Sequence, residues 1–179
     1  LFASFVRIAL KSFIAKAVGK EALGAYSYFI SLTTIGTSVL AFGLGRTLAK
    51  EVAASRDNTH YERLIVAVIA GLIVISILLG GATFLGYPWL QSLNWIYPFV
   101  LIAVGPATLF QLARAILRGY LDRNREAAAA FAAGVTRLVT VSLTILLVGK
   151  VTSPVIGLLI MHLILAGAVL LYFLLFRKA

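Results

Sequence analysis

An all-α polytopic membrane protein with six transmembrane helices is the architecture this 179-residue sequence predicts, on three observations. Hydrophobic residues make up 61% of the chain against 12% charged, and the mean hydropathy of +1.03 lies far outside the range of soluble domains. Three uncharged runs, Ala22 to Gly45, Leu64 to Ala113 and Val151 to Phe176, each reach across roughly 30 Å of hydrocarbon, and the middle one is long enough to do so twice. None of them alternates polar and apolar residues as barrel strands do, so the membrane backbone must satisfy its own hydrogen bonds in helices.

The first stretch, residues 1–18, carries Arg7, Lys11 and Lys16 in an otherwise apolar helix. Lys11 follows Arg7 by one helical turn and shares its face, whereas Lys16 is near enough to the outer boundary to snorkel. The second span, 25–45, places Ser27, Ser31, Thr34 and Ser38 at helical spacing, a stripe suited either to lining a cavity or to close helix packing. The long run divides at the turn-rich segment from Gly86, Tyr87 and Pro88 to Asn94, giving spans 64–86 and 95–114. Tyr87, Trp89, Trp95 and Tyr97 flank that turn as an interfacial aromatic belt. Gly105 with Pro106 predicts a kink in the fourth span, because proline removes a backbone donor and crowds the preceding turn. The fifth span, 127–148, is uncharged except for Arg137, with Thr140 and Thr144 on the arginine's side. The sixth, 153–176, holds His162 near its centre, where it can bond a neighbouring helix or relay a proton.

Orientation follows from the connections. Arg46, Lys50, Arg56 and Arg63 surround one of them, Arg114, Arg118, Arg123 and Arg125 another, and Arg177 and Lys178 fall on the same side. The opposite connections hold only Lys20 and Lys150, with Lys16 close by, so the positive-inside rule puts the two basic loops and both chain ends in the cytoplasm. These loops and the intramembrane cations explain the net charge of +10, which predicts attraction to anionic lipid headgroups and no nucleic-acid partner. The chain opens on Leu1 and stops at Ala179 just past an apolar run, so a longer gene product is expected.

The cations inside the spans are the main clue to function. An arginine at the centre of a bilayer helix costs about 2.5–3.5 kcal/mol on insertion scales, so such a residue faces protein or a watery cavity. Arg7, Ser12, Val18, Gly19 and Lys20 recur in identical spacing as Arg137, Ser142, Val148, Gly149 and Lys150. At about 1.5 Å of rise per residue, each arginine sits roughly 18 Å inward from its boundary glycine, slightly past the midplane. Glu21, Glu51, Asp57, Glu62, Asp122 and Glu126 all fall in loops or at helix ends, so no intramembrane ion pair neutralises Arg7, Lys11 or Arg137. Hydration in a cavity, capping by carbonyls and hydroxyls, or pairing with an anion brought by a ligand or by another part of the chain remain open.

Enzymatic signatures are missing: there is no carboxylate pair, no nucleophile with a base partner and no spaced set of metal ligands. The chain has no cysteine and only two histidines, of which His60 lies in a charged loop with no chemical task. The expectation is therefore a protein that is not an enzyme and uses no cofactor and no metal.

The segment Val18, Gly19, Lys20, Glu21, Ala22, Leu23, Gly24, Ala25, Tyr26 resembles the first outer turn of prokaryotic polysaccharide flippases, including O-antigen-type flippases, where a G-x-E-x-x-G-x-Y-like motif joins spans one and two. Phe42, Gly43, Leu44, Gly45 and Arg46, followed by Leu48, Lys50 and Glu51, resemble that family's exit from span two, and Leu117, Arg118, Gly119, Tyr120 to Arg125 resemble its connection between spans four and five. The resemblance implies membership of the multidrug, oligosaccharidyl-lipid and polysaccharide exporter superfamily, with residues 1–179 as the N-terminal lobe of a two-lobed exporter in a prokaryotic plasma (inner) membrane. It implies movement of polyprenyl-(pyro)phosphate-linked oligosaccharide to the outer leaflet, with Arg7, Lys11, Arg137 and Arg46 as substrate-binding cations and a second lobe as partner. Arginine suits that task because its planar fork of donors matches phosphate and stays charged in a semi-dry cavity. A cation-coupled drug exporter of the same superfamily and a non-transporting membrane assembly protein are the alternatives, and a drug exporter of cationic compounds calls for buried acids that these spans lack.

Overall fold

Residues 2–54, 59–119 and 123–176 are described by a computed structural model, and every element among them is a helix. These are α1 (Phe2–Ala17), α2 (Lys20–Ala41), α3 (Leu44–Ala54), α4 (Thr59–Leu93), α5 (Tyr97–Gly119), α6 (Arg123–Val148) and α7 (Ser153–Phe176). Four helices, α4 to α7, are long and apolar enough to cross a membrane, and a fifth span results if α2 and α3 are taken together as one bent unit. The chain is thus a helical membrane protein. Helix α1 has 16 residues, which at about 1.5 Å each make it roughly 24 Å long.

The order of packing puts α5 at the centre, against α2, α3, α4 and α7, while α6 packs on α7 and α1 on α6 and α2. In its apolar window α5 is 61% buried against 11% for α4, so α4 leaves most of its apolar surface to lipid or another partner. Glycines set the closest approaches. A β-carbon on Gly157 of α7 would meet Val141 Cα at 2.7 Å and Thr140 O at 3.0 Å, both backbone atoms of α6, and one on Gly105 of α5 would overlap Ser76 of α4. The main core is built from Leu10 and Ile14 of α1, Tyr26 and Phe29 of α2, Ala103 of α5, Val141 of α6 and Val155, Leu158 and Met161 of α7.

Several boundaries differ from the sequence expectations. The second span does not run to residue 45 but stops at Ala41, where Phe42 (φ 35°) and Gly43 (φ 77°) turn left-handed and bend the path by 51° into α3. Helix α3 lies where the sequence predicted only a charged loop. Leu48 and Val52 recur every four residues and are buried, while Arg46, Lys50 and Glu51 stay exposed, so it is an amphipathic helix docked on α5. The turn expected from Gly86 onward is also shorter, since α4 continues through Pro88 to Leu93 and the chain reverses only at Asn94. Asn94 Oδ1 accepts the Ile96 N–H at 3.0 Å and so closes that turn. His60 stands on the first turn of α4 instead of in a loop. Helix α5 runs unbroken through Gly105 and Pro106. Of the basic flanking residues, Arg56, Arg177 and Lys178 lie outside the described residues.

Contacts at the two ends fix which termini lie together. Tyr28 and Tyr97 join the starts of α2 and α5 through their hydroxyls at 3.2 Å. Arg125 Nη1 donates to Tyr172 Oη at 3.2 Å at the other end, which brings the start of α6 beside the end of α7. Arg114, Arg118 and Arg125 therefore gather at that end of the bundle. The aromatic turn occupies the opposite end, with Trp89 exposed and Trp95 packed edge-on against Phe99 at 6.2 Å between centroids.

Candidate functional site

Tyr26 is a fully buried polar side chain among the described residues. It stands on α2 one and a half turns in from Lys20, and burial of Ala22, Tyr26, Phe29, Thr33 and Thr37 at spacings of three and four defines the inward face of that helix. The Tyr26 side chain is fully buried, yet its hydroxyl has no hydrogen-bond partner among the described residues. Helix α1, which carries Arg7, packs against α6, which carries Arg137.

Arg137 is half-buried, and its Nε is shielded from solvent with no acceptor. Two buried polar atoms, a guanidinium N–H and a phenol, thus lack partners in one region of an apolar core. Such groups cost about 1–3 kcal/mol each when left unsatisfied, more where charge is involved, and a place that holds two of them is either strained or built for a ligand. Of the acids whose side chains are described, Glu21 and Glu51 are exposed, and Glu126 is engaged by Arg114 and Arg118 at the basic end. No described carboxylate answers Arg137.

His162 of α7 is part-buried within its span. Its Nδ1–H donates to Leu158 O of its own helix at 2.7 Å, not to a neighbouring helix, and its ring tilts against Phe29 of α2 at 6.4 Å. This bond fixes the tautomer and leaves Nε2 as an acceptor. The sequence offered Tyr26 only as the last residue of the 18–26 motif, not as a buried hydroxyl without a partner. The absence of any described acid in the spans was the only signal that the cations needed something else to face.

The remaining predicted residues are placed differently. Lys11 is exposed on α1 one turn beyond Arg7, itself exposed, and extends the cationic strip along that helix. Arg46 is exposed on the amphipathic α3 and does not join the group around Tyr26. On α2, Ser31, Thr34 and Ser38 are exposed and donate back to the carbonyls of Ser27, Ile30 and Thr34 at 2.8–3.0 Å, so they form a satisfied hydroxyl stripe. Thr140 and Thr144 are buried and donate to Thr136 O and Thr140 O at 2.8 Å each. They sit where Gly157 of α7 comes close, which makes them packing residues of the α6–α7 seam.

No known protein family, curated protein or solved structure matches the chain.

Proposed function

We propose that this chain is a lobe of a membrane transporter whose cargo carries an anionic headgroup, a flippase for polyprenyl-(pyro)phosphate-linked oligosaccharide. The observation that carries this reading is the pair of buried polar atoms left without partners among the described residues, the Tyr26 hydroxyl and Arg137 Nε, with no described acid paired to Arg137. A phosphate answers both deficits at once. Its oxygens accept from a guanidinium fork and from a phenol, and charge-assisted bonds of this kind are roughly twice as strong as neutral ones. Lys11 extends the attraction along α1, and Arg46 meets the headgroup earlier, at the basic end.

In this reading six spans, the α2–α3 pair counting as one and α1 as the first, form the N-terminal half of a two-lobed exporter in the plasma membrane of a prokaryote. The basic end faces the cytoplasm. The second lobe supplies the opposite wall of the cavity, and rocking of the lobes exposes the cations to each side in turn while the lipid tail stays in the bilayer. The resemblance of 18–51 to polysaccharide flippases supports the choice of cargo, and the lack of a described buried acid disfavours export of cationic drugs. The chain does no covalent chemistry here. The test is Arg7→Ala combined with Arg137→Ala in the full-length gene product: glycan delivery to the outer leaflet is lost while folded protein persists, and retained delivery overturns the proposal.

A further inference from the structure

A second cationic feature lies at the basic end, well away from Tyr26. The left-handed residues Phe42 and Gly43 end α2 and start α3, and the N–H groups of Arg46 and Thr47 donate to Gly43 O at 3.0 and 3.3 Å. The N–H groups of Leu44 and Gly45 have no acceptor among the described residues, as the first turn of a helix dictates. Beside this turn, α5 and the break between α2 and α3 enclose a cleft of about 270 Å³. Ala41 and Gly45 form one wall, and Gln111, Arg114 and Arg118 line the other.

The charged side chains that line this cleft are both cationic. Arg114 Nη2 and Arg118 Nε share one Glu126 oxygen at 3.2 and 3.4 Å, so two guanidiniums are held by a single carboxylate and a net positive charge remains. Arg114 Nε is buried without a partner. Gln111 donates from Nε2 to Thr37 Oγ1 at 3.3 Å, which keeps its amide fixed at the α2–α5 seam. The opening turn of α3 adds the positive end of a helix dipole. The residues that make room are small: a β-carbon on Gly45 would lie 3.7 Å from Ala115, in ordinary contact, so a larger side chain there occupies the cleft itself.

We infer that this cleft binds the phosphate of an anionic headgroup at the basic end of the bundle, as a site separate from the Tyr26 group. Its volume falls just below the roughly 300–1,000 Å³ of drug-sized pockets, which admits a phosphate and its first substituent but not an oligosaccharide. Phe42, 89% exposed beside it, offers an apolar contact for the acyl part of a lipid. The inference concerns binding alone and does not depend on transport.

The test is native mass spectrometry of the full-length protein in neutral detergent, titrated in one arm with phosphatidylglycerol and in the other with inorganic phosphate. Wild type retains a bound phosphatidylglycerol, and Arg118→Gln and Gly45→Leu each weaken retention about tenfold or more, the loss expected from one charge-assisted bond or from a filled cleft. Lys50→Gln, an exposed charge on α3 away from the cleft, leaves retention unchanged. Arg118 is itself exposed, so its replacement keeps the fold, which thermal unfolding verifies. Binding of inorganic phosphate with the same variant pattern, and none of the lipid, supports the site and assigns it a soluble ligand. Equal retention by Arg118→Gln and wild type, an equal loss in Lys50→Gln, or binding of neither probe overturns the inference.

Discussion

Replacing Arg137 with leucine separates a cation kept for a ligand from one kept for the fold. If the guanidinium capped carbonyls inside the bundle, its removal would break charge-assisted bonds worth about 1.5–3 kcal/mol each and lower stability accordingly. The structure shows the reverse arrangement: Nε is buried with no acceptor among the described residues. Leucine therefore forfeits nothing that is visible and removes an unsatisfied polar atom whose burial costs about 1–3 kcal/mol. It also substitutes a side chain that membrane scales favour for one they penalise. Arg137→Leu is expected to stabilise the protein by about 1–3 kcal/mol, and at about 2–4 °C per kcal/mol for a chain of this size the midpoint rises by roughly 2–12 °C. Thermal unfolding of the full-length protein in detergent reads this directly, with transport measured on the same preparation and expected to fail. A midpoint that drops by several degrees would refute the reasoning, because Arg137 would then be a structural cap.

Two further outcomes follow from the packing. Gly157→Ala drives a methyl into the backbone of α6, an overpacking cost of about 1–3 kcal/mol that the roughly 1 kcal/mol gain in helix propensity only partly offsets, whereas Gly167→Ala on the same helix meets nothing and is neutral or slightly stabilising. Thermal unfolding of the pair should rank Gly157→Ala clearly below Gly167→Ala. Tyr26→Phe deletes a hydroxyl that bonds nothing in the described structure, so stability holds or rises. Transport of the phosphate-bearing cargo should still fall about tenfold, the effect of one lost hydrogen bond to a charged group. An unchanged transport rate removes Tyr26 from the site.

The helices were legible in the sequence where composition alone decides them. Val151 to Phe176 has a single amphoteric residue, His162, in an apolar run, and α7 forms over nearly the same residues. Where two signals competed, the louder one misled. Arg46, Lys50 and Glu51 read as a charged loop, yet Leu48 and Val52 on the fourth-residue spacing made an amphipathic helix with a face to bury against α5. Pro88 and Gly86 read as a turn, but α4 carries on past them to Leu93, absorbing the loss of the donor that the interior proline removes. For the site, the sequence exposed the arginines because charge in an apolar run stands out. Tyr26 was visible in the sequence only as part of the 18–26 motif. Its burial, with no partner for the hydroxyl among the described residues, comes from the packing.

The most direct test is headgroup translocation by the full-length protein reconstituted into liposomes, with a fluorescent polyprenyl-phosphate-linked sugar and quenching from one side. With wild-type protein the labelled headgroup reaches the protected leaflet, and with Arg7→Ala and Arg137→Ala together the rate falls to that of protein-free vesicles. Translocation at the wild-type rate by folded double variant would contradict the claim that these cations carry the cargo.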